Sequence, residues 1–388
     1  MRQPWPYQPR PMPDELLSSY VRRLATGMGL KPISFLNAVF GSTKNLLSQD
    51  LDNFAPEHFI DRIAFGVSRS PEEISACTLR AYAGLLIPSH NKAGRNPWLL
   101  PTTIDNNLRH RAGLQFCPTC LITDTTPYFR RRWRLAFVTS CTEHGTMLRD
   151  RCPHCSSPVH PHVALSARHC FKCGKSICEQ TTGHTEHAHR EWQRLLEFSL
   201  MRGWTPLGDD DLPSTSAFAI IRQIATLLVN GKRAGAFRAV IARDWGGDPA
   251  PYPKSTSRQP FEYLEISDRH RLFDMIEHVM RGWPFRFVHS CLEAGICRSH
   301  AIKDMPNPPF AYEKVVRTFL DAAPYRSSEE EVAAAADWLR RTRGKATYRD
   351  LRSICGESRA AIYRHMDYER KQKQPSRWRI EAMASLQL

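Results

Sequence analysis

The chain has 388 residues, enough for two or three domains with a sizeable core. Its 41% hydrophobic and 24% charged residues are typical of a globular protein, and no run approaches the roughly 18 apolar residues that a membrane span requires. A formal charge of +15 points to an acidic partner, most simply nucleic acid or a ribonucleoprotein, although a basic surface that serves only solubility gives the same total.

Residues 1–13 are rich in proline, lack the apolar stretch of a secretory signal and are expected to be extended. A helix is predicted from Pro13-Asp14-Glu15, with Asp14 as its cap and Leu17, Tyr20, Val21, Leu24 and Met28 at helical spacing until Gly27 and Gly29 stop it. Pro32 opens a second helix with Ile33, Phe35, Leu36, Val39 and Phe40 apolar, ended by Gly41. Two helices across a glycine-containing turn make a helix-turn-helix-like unit, and an ordinary helical hairpin has the same pattern. Pro56 to Phe65 reads as a third helix. Ser70-Pro71-Glu72-Glu73, with a cap, a first-position proline and first-turn acids, starts a fourth. Residues 88–115 are irregular, with Pro97-Trp98-Leu99-Leu100-Pro101 suited to dock as an apolar plug.

From Phe116 to Gly174 the chain carries four short ligand-type pairs: Cys117/Cys120, Cys141/His144, Cys152/Cys155 and Cys170/Cys173. Each pair encloses two residues, so a tight turn aims both side chains at one ion, and two pairs complete a tetrahedral zinc site. Disulfides would need an oxidising compartment, and a redox motif would be one pair rather than four. Two zinc ions per chain are therefore expected, in closed structural sites. Pairing in sequence order is the simpler assignment, and spacing also allows a cross-braced one. Reduced thiols make the expected compartment cytoplasmic. Between the first two pairs, Arg130, Arg131, Arg132 and Arg134 interleave with Tyr128, Phe129, Trp133 and Phe137. The aromatics are expected to pack inward; the arginines are candidates for nucleic-acid or partner contact. Of the remaining histidines, His184, His187 and His189 are read as an exposed helix start. Cys77, Cys178, Cys291, Cys297 and Cys355 are read as small apolar residues or inert thiols.

Glu191 to Trp204 is a predicted helix, followed by an acidic break over 205–214 and helices around 215–229 and 232–243. Residues 246–260 are rich in Pro, Gly and Ser and form the clearest linker, either mobile or an ordered loop. Helices follow at Leu264–Arg281, Phe285–Glu293, near Arg298–Asp304, at Phe310–Leu320 and at Glu329–Arg341. The last unit, Ala346 to Met366, has Thr347 capping a helix, Gly356 as a turn and Ser358 opening a second helix. That is the size of a DNA-reading helix-turn-helix and equally of a docking hairpin. Arg349, Arg352, Arg359 and Arg364 are its candidate contacts, and Arg340 to Arg379 holds thirteen Lys/Arg against four Asp/Glu. The expected fold is mostly α, divided as 1–110 (helix-turn-helix-like), 111–190 (tandem zinc fingers), 191–245 (helical), 246–260 (linker) and 261–388 (helical with a basic helix-turn-helix). No phosphate-binding Gly-x-x-x-x-Gly-Lys-Ser/Thr, no Gly-x-Ser-x-Gly and no assembled acid set is visible, so an enzyme is not expected.

Four segments, PDELLSSYVRRLATGMGL, SPEEISACTLRAY, PWLLP and FCPTCLITDTTPYFRRRWRLAFVTSCTEHGTMLRDRCPHCSSPV, occur in that order. Together they resemble the TniQ family of transposition proteins, which includes TnsD-type target selectors. The likeness covers about the first 190 residues; farther on, WPFRFVHSCLEAGICRS and PPFAYEKVVRTFL are similar to the helical C-terminal half of longer members. The resemblance implies a helical protein with an N-terminal helix-turn-helix region and two zinc fingers. Carried over by residue, Cys117, Cys120, Cys141 and His144 would form the first finger, and Cys152, Cys155, Cys170 and Cys173 the second. It further implies a protein that does not catalyse strand transfer. Such a protein marks the insertion site and recruits an AAA+ ATPase, TnsC or TniB, which then engages the transposase. Some members bind a DNA attachment site directly; others dock, often as a homodimer, onto a CRISPR effector such as Cascade with its guide RNA. The expected role is thus an adaptor between a target-recognition complex and the ATPase, with a stand-alone sequence-specific DNA-binding selector as the second reading.

Overall fold

Apolar spacing builds the first helices of the computed structural model, which describes residues 3–41, 50–91, 95–102, 113–179, 183, 185–253, 260–321, 327–356 and 362–366. Helix α1 (Leu17–Gly27) buries Leu17, Tyr20, Val21 and Leu24, and α2 (Pro32–Phe40) starts on its proline and ends at Gly41, whose φ is 73°. After α3 (Leu51–Phe54) and α4 (Glu57–Gly66), α5 (Pro71–Ser75) opens with a reciprocal capping box between Ser70 and Glu73. These helices share one apolar cluster, from Leu17 to Cys77. The extended N-terminal segment straps them. Trp5 and Tyr7 lie where a Cβ on Gly66 or Gly27 would stand 2.4 or 2.1 Å from their rings. Asp14 is not the cap of α1. Its φ is 59°, and its carboxylate turns instead to Arg131 at 3.2 Å and to the Arg132 N–H at 3.3 Å.

The irregular middle of the chain is the centre of the larger core. Trp98 is fully buried, with the rings of Phe137, Phe218, Phe261 and Phe273 within 6.0 Å. A buried backbone without helix or sheet must find hydrogen-bond partners elsewhere. Here side chains supply them. Gln193 accepts from Thr139 N and Ser140 N and donates to Ser140 O. Arg269 donates to Ala136 O and to Gln115 Oε1, and Gln115 donates to Val138 O.

Helix α6 (Pro118–Thr123) lies within this region, and α7 (His187–Arg202) follows it. His187 is exposed at the start of α7, but His189 is buried. Its Nε2 lies 3.1 Å from Thr139 Oγ1, and its ring centroid lies 4.1 Å from that of His270; His184 lies outside the described residues. The stretch expected as a break is a β-hairpin, β1 (Trp204–Leu207) against β2 (Asp210–Pro213), with Leu207 facing Asp210 and Gly208 turning at φ 64°. Its strands are too short for an alternating pattern to stand out. Then come α8 (Ser214–Asn230), α9 (Ala234–Asp244), α10 (Ile266–Met280), α11 (Phe285–Glu293), α12 (Arg298–Ala301) and α13 (Phe310–Leu320). They share a continuous apolar cluster with the irregular middle. Residues 246–253 run as a loop pinned by Arg238 to Pro249 O and by Arg271 to Ala250 O.

By its contacts the chain divides into Met1–Leu320 and Asp321–Leu388. In the second unit, α14 (Glu329–Arg343), α15 (Tyr348–Cys355) and a helical piece at 362–366 bury Val332, Ala336, Leu339, Leu351, Cys355 and Ile362 together. Thr347 caps α15 by accepting from Asp350 N at 3.2 Å. The expected start of the second helix at Ser358, and Arg359, lie outside the described residues.

Candidate metal centres

Three of the four ligand pairs use one local device. Cys141, Cys152 and Cys170 each have their carbonyl accepting from the residue just past the second ligand: Gly145, Ser156 and Gly174, at 2.8, 3.0 and 3.0 Å. Those three residues sit at φ 66°, 56° and 72°, the left-handed conformation that costs a glycine nothing and a serine about 1–2 kcal/mol. The turn points backbone N–H groups at the first sulfur: His144 N to Cys141, His154 N to Cys152 and Lys172 N to Cys170, each at 3.4 Å. The fourth pair differs. Cys117 is the N-cap of α6, and its Sγ accepts from Cys120 N at 3.4 Å. Either way, donors aimed at sulfur favour the thiolate, the form that binds metal.

The pairs assemble in sequence order. The ligand atoms of Cys117, Cys120, Cys141 and His144 all lie within 4.8 Å of one another, as do those of Cys152, Cys155, Cys170 and Cys173. In the first group, Cys120 Sγ is 3.6 Å from Cys141 Sγ, and His144 Nδ1 stands 3.6, 3.3 and 3.4 Å from Cys117, Cys120 and Cys141. In the second, Cys152–Cys173 and Cys155–Cys170 are 3.7 and 3.6 Å apart. A tetrahedral zinc with sulfur at about 2.3 Å places neighbouring sulfurs about 3.8 Å apart, and sulfur and imidazole nitrogen about 3.6 Å apart. Both groups fit that geometry.

The arginines between the first two pairs are committed within the protein. Arg134 is 1% exposed and pairs with Asp50 and Asp52 while donating to Leu100 O. Burial pushes the Asp52 carboxyl up to about 6. Arg130 grips Asp124 with two bonds of 3.1 and 3.0 Å and lies over the rings of Tyr128 and Trp133. Arg131 donates to Asp14 and to Ala76 O, and Arg132 reaches Glu143 at 2.7 Å. The aromatics Phe129, Trp133 and Phe137 are buried, as expected. In the second unit, Arg349, Arg352 and Arg364 are exposed, with Arg364 3.5 Å from Glu329.

These ties bring together the segments that carry the family resemblance. Glu15 bridges Arg130, Leu17 N donates to Cys77 O, and Leu99 bridges Leu135, so all converge on Phe129–Phe137 beside the first metal group. The TniQ family model matches residues 6–148. This part of the chain is a TniQ domain. A TniQ domain implies a role in transposition target selection. The match contains the whole first ligand group and stops before the second. No curated protein matches the chain.

Several residues that matter to the site carry no motif. Arg168 donates from Nε to Leu121 O and from Nη2 to Ile122 O and Asp124 O, satisfying the open carbonyls at the end of α6 and tying the second ligand group to the first. Thr185 N and Oγ1 both donate to Gly145 O, at 2.9 and 3.2 Å, docking the start of α7 on a ligand turn. Only the folded geometry reveals either. Of the five other cysteines, Cys77, Cys178, Cys291 and Cys355 are buried, and Cys297 is half-buried beside His300.

Proposed function

We propose that the protein is a non-catalytic adaptor that links a target-recognition complex to an AAA+ transposition regulator of the TnsC/TniB type, and that zinc fills both ligand groups. The observation that carries the adaptor reading is the internal use of Arg130, Arg131, Arg132 and Arg134. The basic run in the TniQ domain is paired within the protein, which leaves target reading to another component, such as a CRISPR Cascade complex with guide RNA. Zinc would be held by Cys117, Cys120, Cys141 and His144, and by Cys152, Cys155, Cys170 and Cys173. Four protein ligands leave no open position, so the ion's contribution is structural. Action in the cytoplasm agrees with seven cysteine ligands kept reduced, and among the described residues no helix is long and apolar enough to cross a membrane.

A second reading is favoured by one feature. Exposed Arg349, Arg352 and Arg364 on the small C-terminal unit suit a helix-turn-helix that touches DNA, as in a stand-alone selector. A gel-shift assay separates the two. The adaptor reading expects purified protein to bind an attachment-site duplex only weakly and without sequence preference, and to co-purify with a guide-RNA complex or the ATPase. Tight, sequence-specific binding with a steep salt dependence and no other component would overturn it.

A further inference from the structure

One surface of the first unit breaks the basic character of the chain. The outer face of α7 leaves Leu195, Phe198 and Met201 exposed, Met201 to 82%, and Trp204 at the start of β1 continues the patch. Residues three apart share a helix face, so these side chains form one apolar surface. Arg202 lies over Phe198 and Trp204, 4.2 and 5.5 Å from the ring centroids, and is thereby occupied. Leu195 also borders a cavity of about 340 Å³ walled by Trp192, Leu196, Ala217, Ile221, Met280 and Trp283. That is room for one large side chain, at the small end of ligand pockets.

The charge beside this cavity is acidic. Glu277 lines it and is 5% exposed; one of its oxygens pairs with Arg281. The other, Oε2, accepts no hydrogen bond, and His278 Nδ1 stands 3.5 Å away. The β1–β2 turn is seated on Trp283, where a Cβ on Gly208 would come within 3.1 Å of the Trp283 carbonyl oxygen. That turn presents Asp209, Asp210 and Asp211 in a row. All three are exposed, and none forms an ion pair among the described residues. Three consecutive acids beside an apolar patch, on a chain of charge +15, repel nucleic acid and attract a basic protein segment.

We propose that this surface docks a partner protein through a basic segment bearing one bulky apolar anchor. The anchor enters the cavity between Trp192 and Trp283, flanking apolar residues cover Phe198 and Met201, and lysines or arginines meet Asp209, Asp210 and Asp211. The proposal deepens the adaptor reading and rests on it for the partner being a protein.

The test uses the full chain and a random dodecapeptide library. Binders are selected on the wild type and counter-selected on a Met201→Glu/Asp209→Lys/Asp210→Lys/Asp211→Lys variant, altered only at exposed positions. The expected result is enrichment of peptides with a large apolar residue flanked by Lys or Arg. Their affinity should fall by about tenfold or more in the variant, whose metal content and circular dichroism stay unchanged. No enrichment, acidic binders, equal binding to the variant, competition by duplex DNA, or a monomer–dimer shift caused by Met201→Glu alone would each overturn it. Co-purification of the ATPase or a guide-RNA complex is read on the same two proteins. If recruitment survives in the variant, the surface fails and the adaptor stands. If peptides behave as expected but neither complex is recruited by the wild type, the adaptor fails and the surface stands.

Discussion

The two ligand groups share one spacing rule and one apolar cluster, and differ in how much of each group that cluster covers. In the first, Cys117, Cys120 and Cys141 are 0, 1 and 3% exposed and belong to the main apolar cluster, on the segment where the TniQ motifs converge. In the second, Cys152 and Cys170 are buried in the same cluster, but Cys155 is half-buried and Cys173 is exposed, on an arm made of two tight ligand turns. The arm's intervening turn, Pro161–Val163, lies against α1 and α2. Similar ligand sets, one with a histidine and one all cysteine, therefore serve two ends. One ion would be a piece of the core, and the other a clip that holds an arm against the N-terminal helices. Spacing predicts the ligands; burial decides what losing them costs.

Substitutions at the two groups should separate most widely. Cys141→Ser is expected to abolish folding of the first unit, because binding energy at such a site, about 10 kcal/mol or more, is folding energy. Cys173→Ser should lower the zinc content by one and leave the main thermal transition in place. Equal effects, measured by elemental analysis and thermal melts, would erase the distinction. Next in size is Arg134→Met. It strands Asp50 and Asp52 in the core and should cost about 3–5 kcal/mol in denaturant unfolding. Arg132→Ala, at a half-buried arginine whose partner Glu143 is exposed, should cost about 1 kcal/mol.

Acid should act on both regions through buried histidines. Burial pushes His189, packed against Thr139 near the first group, down to about 3, and His162, in the arm turn, down to about 4. The unfolded chain takes up protons below its ordinary value of about 6.5, and the folded chain does not. Stability is therefore full above that pH and is lost as pH falls toward the folded values. His189→Gln should flatten this loss in pH-dependent melts; an unchanged slope would assign it elsewhere. The smallest effects sit in the ligand turns. Gly145→Ala, at φ 66° under Arg190, should cost about 1–2 kcal/mol, while Ser156→Gly should stabilise the arm by about 1 kcal/mol.

Much of this was legible before folding. Regular apolar spacing marked α1, α2, α8, α10, α11 and α13, and the Ser70 and Thr347 caps read directly from their neighbours. Cysteine spacing marked the eight residues that the structure gathers into two groups of four, in sequence order. What stayed hidden was what tertiary contacts decide. Asp14 looks like a cap and is an arginine partner, because the backbone of Phe129–Arg132 comes to meet it. His189 looks like an exposed helix start and is buried by Thr139 and His270. The arginine–aromatic run reads like a nucleic-acid surface. Its aromatics fill the core, and its acids, Asp14, Asp50, Asp52 and Asp124, come mostly from distant segments that no local pattern connects. The β1–β2 hairpin hid behind acids and prolines that argue against strands.

Stepwise zinc removal would show directly whether the two ligand groups are unequal. The purified protein is titrated with a chelator while released zinc and near-ultraviolet circular dichroism are followed together. The account predicts two zinc ions per chain. One, held by the Cys152 group, should leave with the tertiary signal intact; the other, held by Cys117, Cys120, Cys141 and His144, should leave only as that signal collapses. Release of both in a single step, early loss from the first group, or fewer than two bound ions would contradict it.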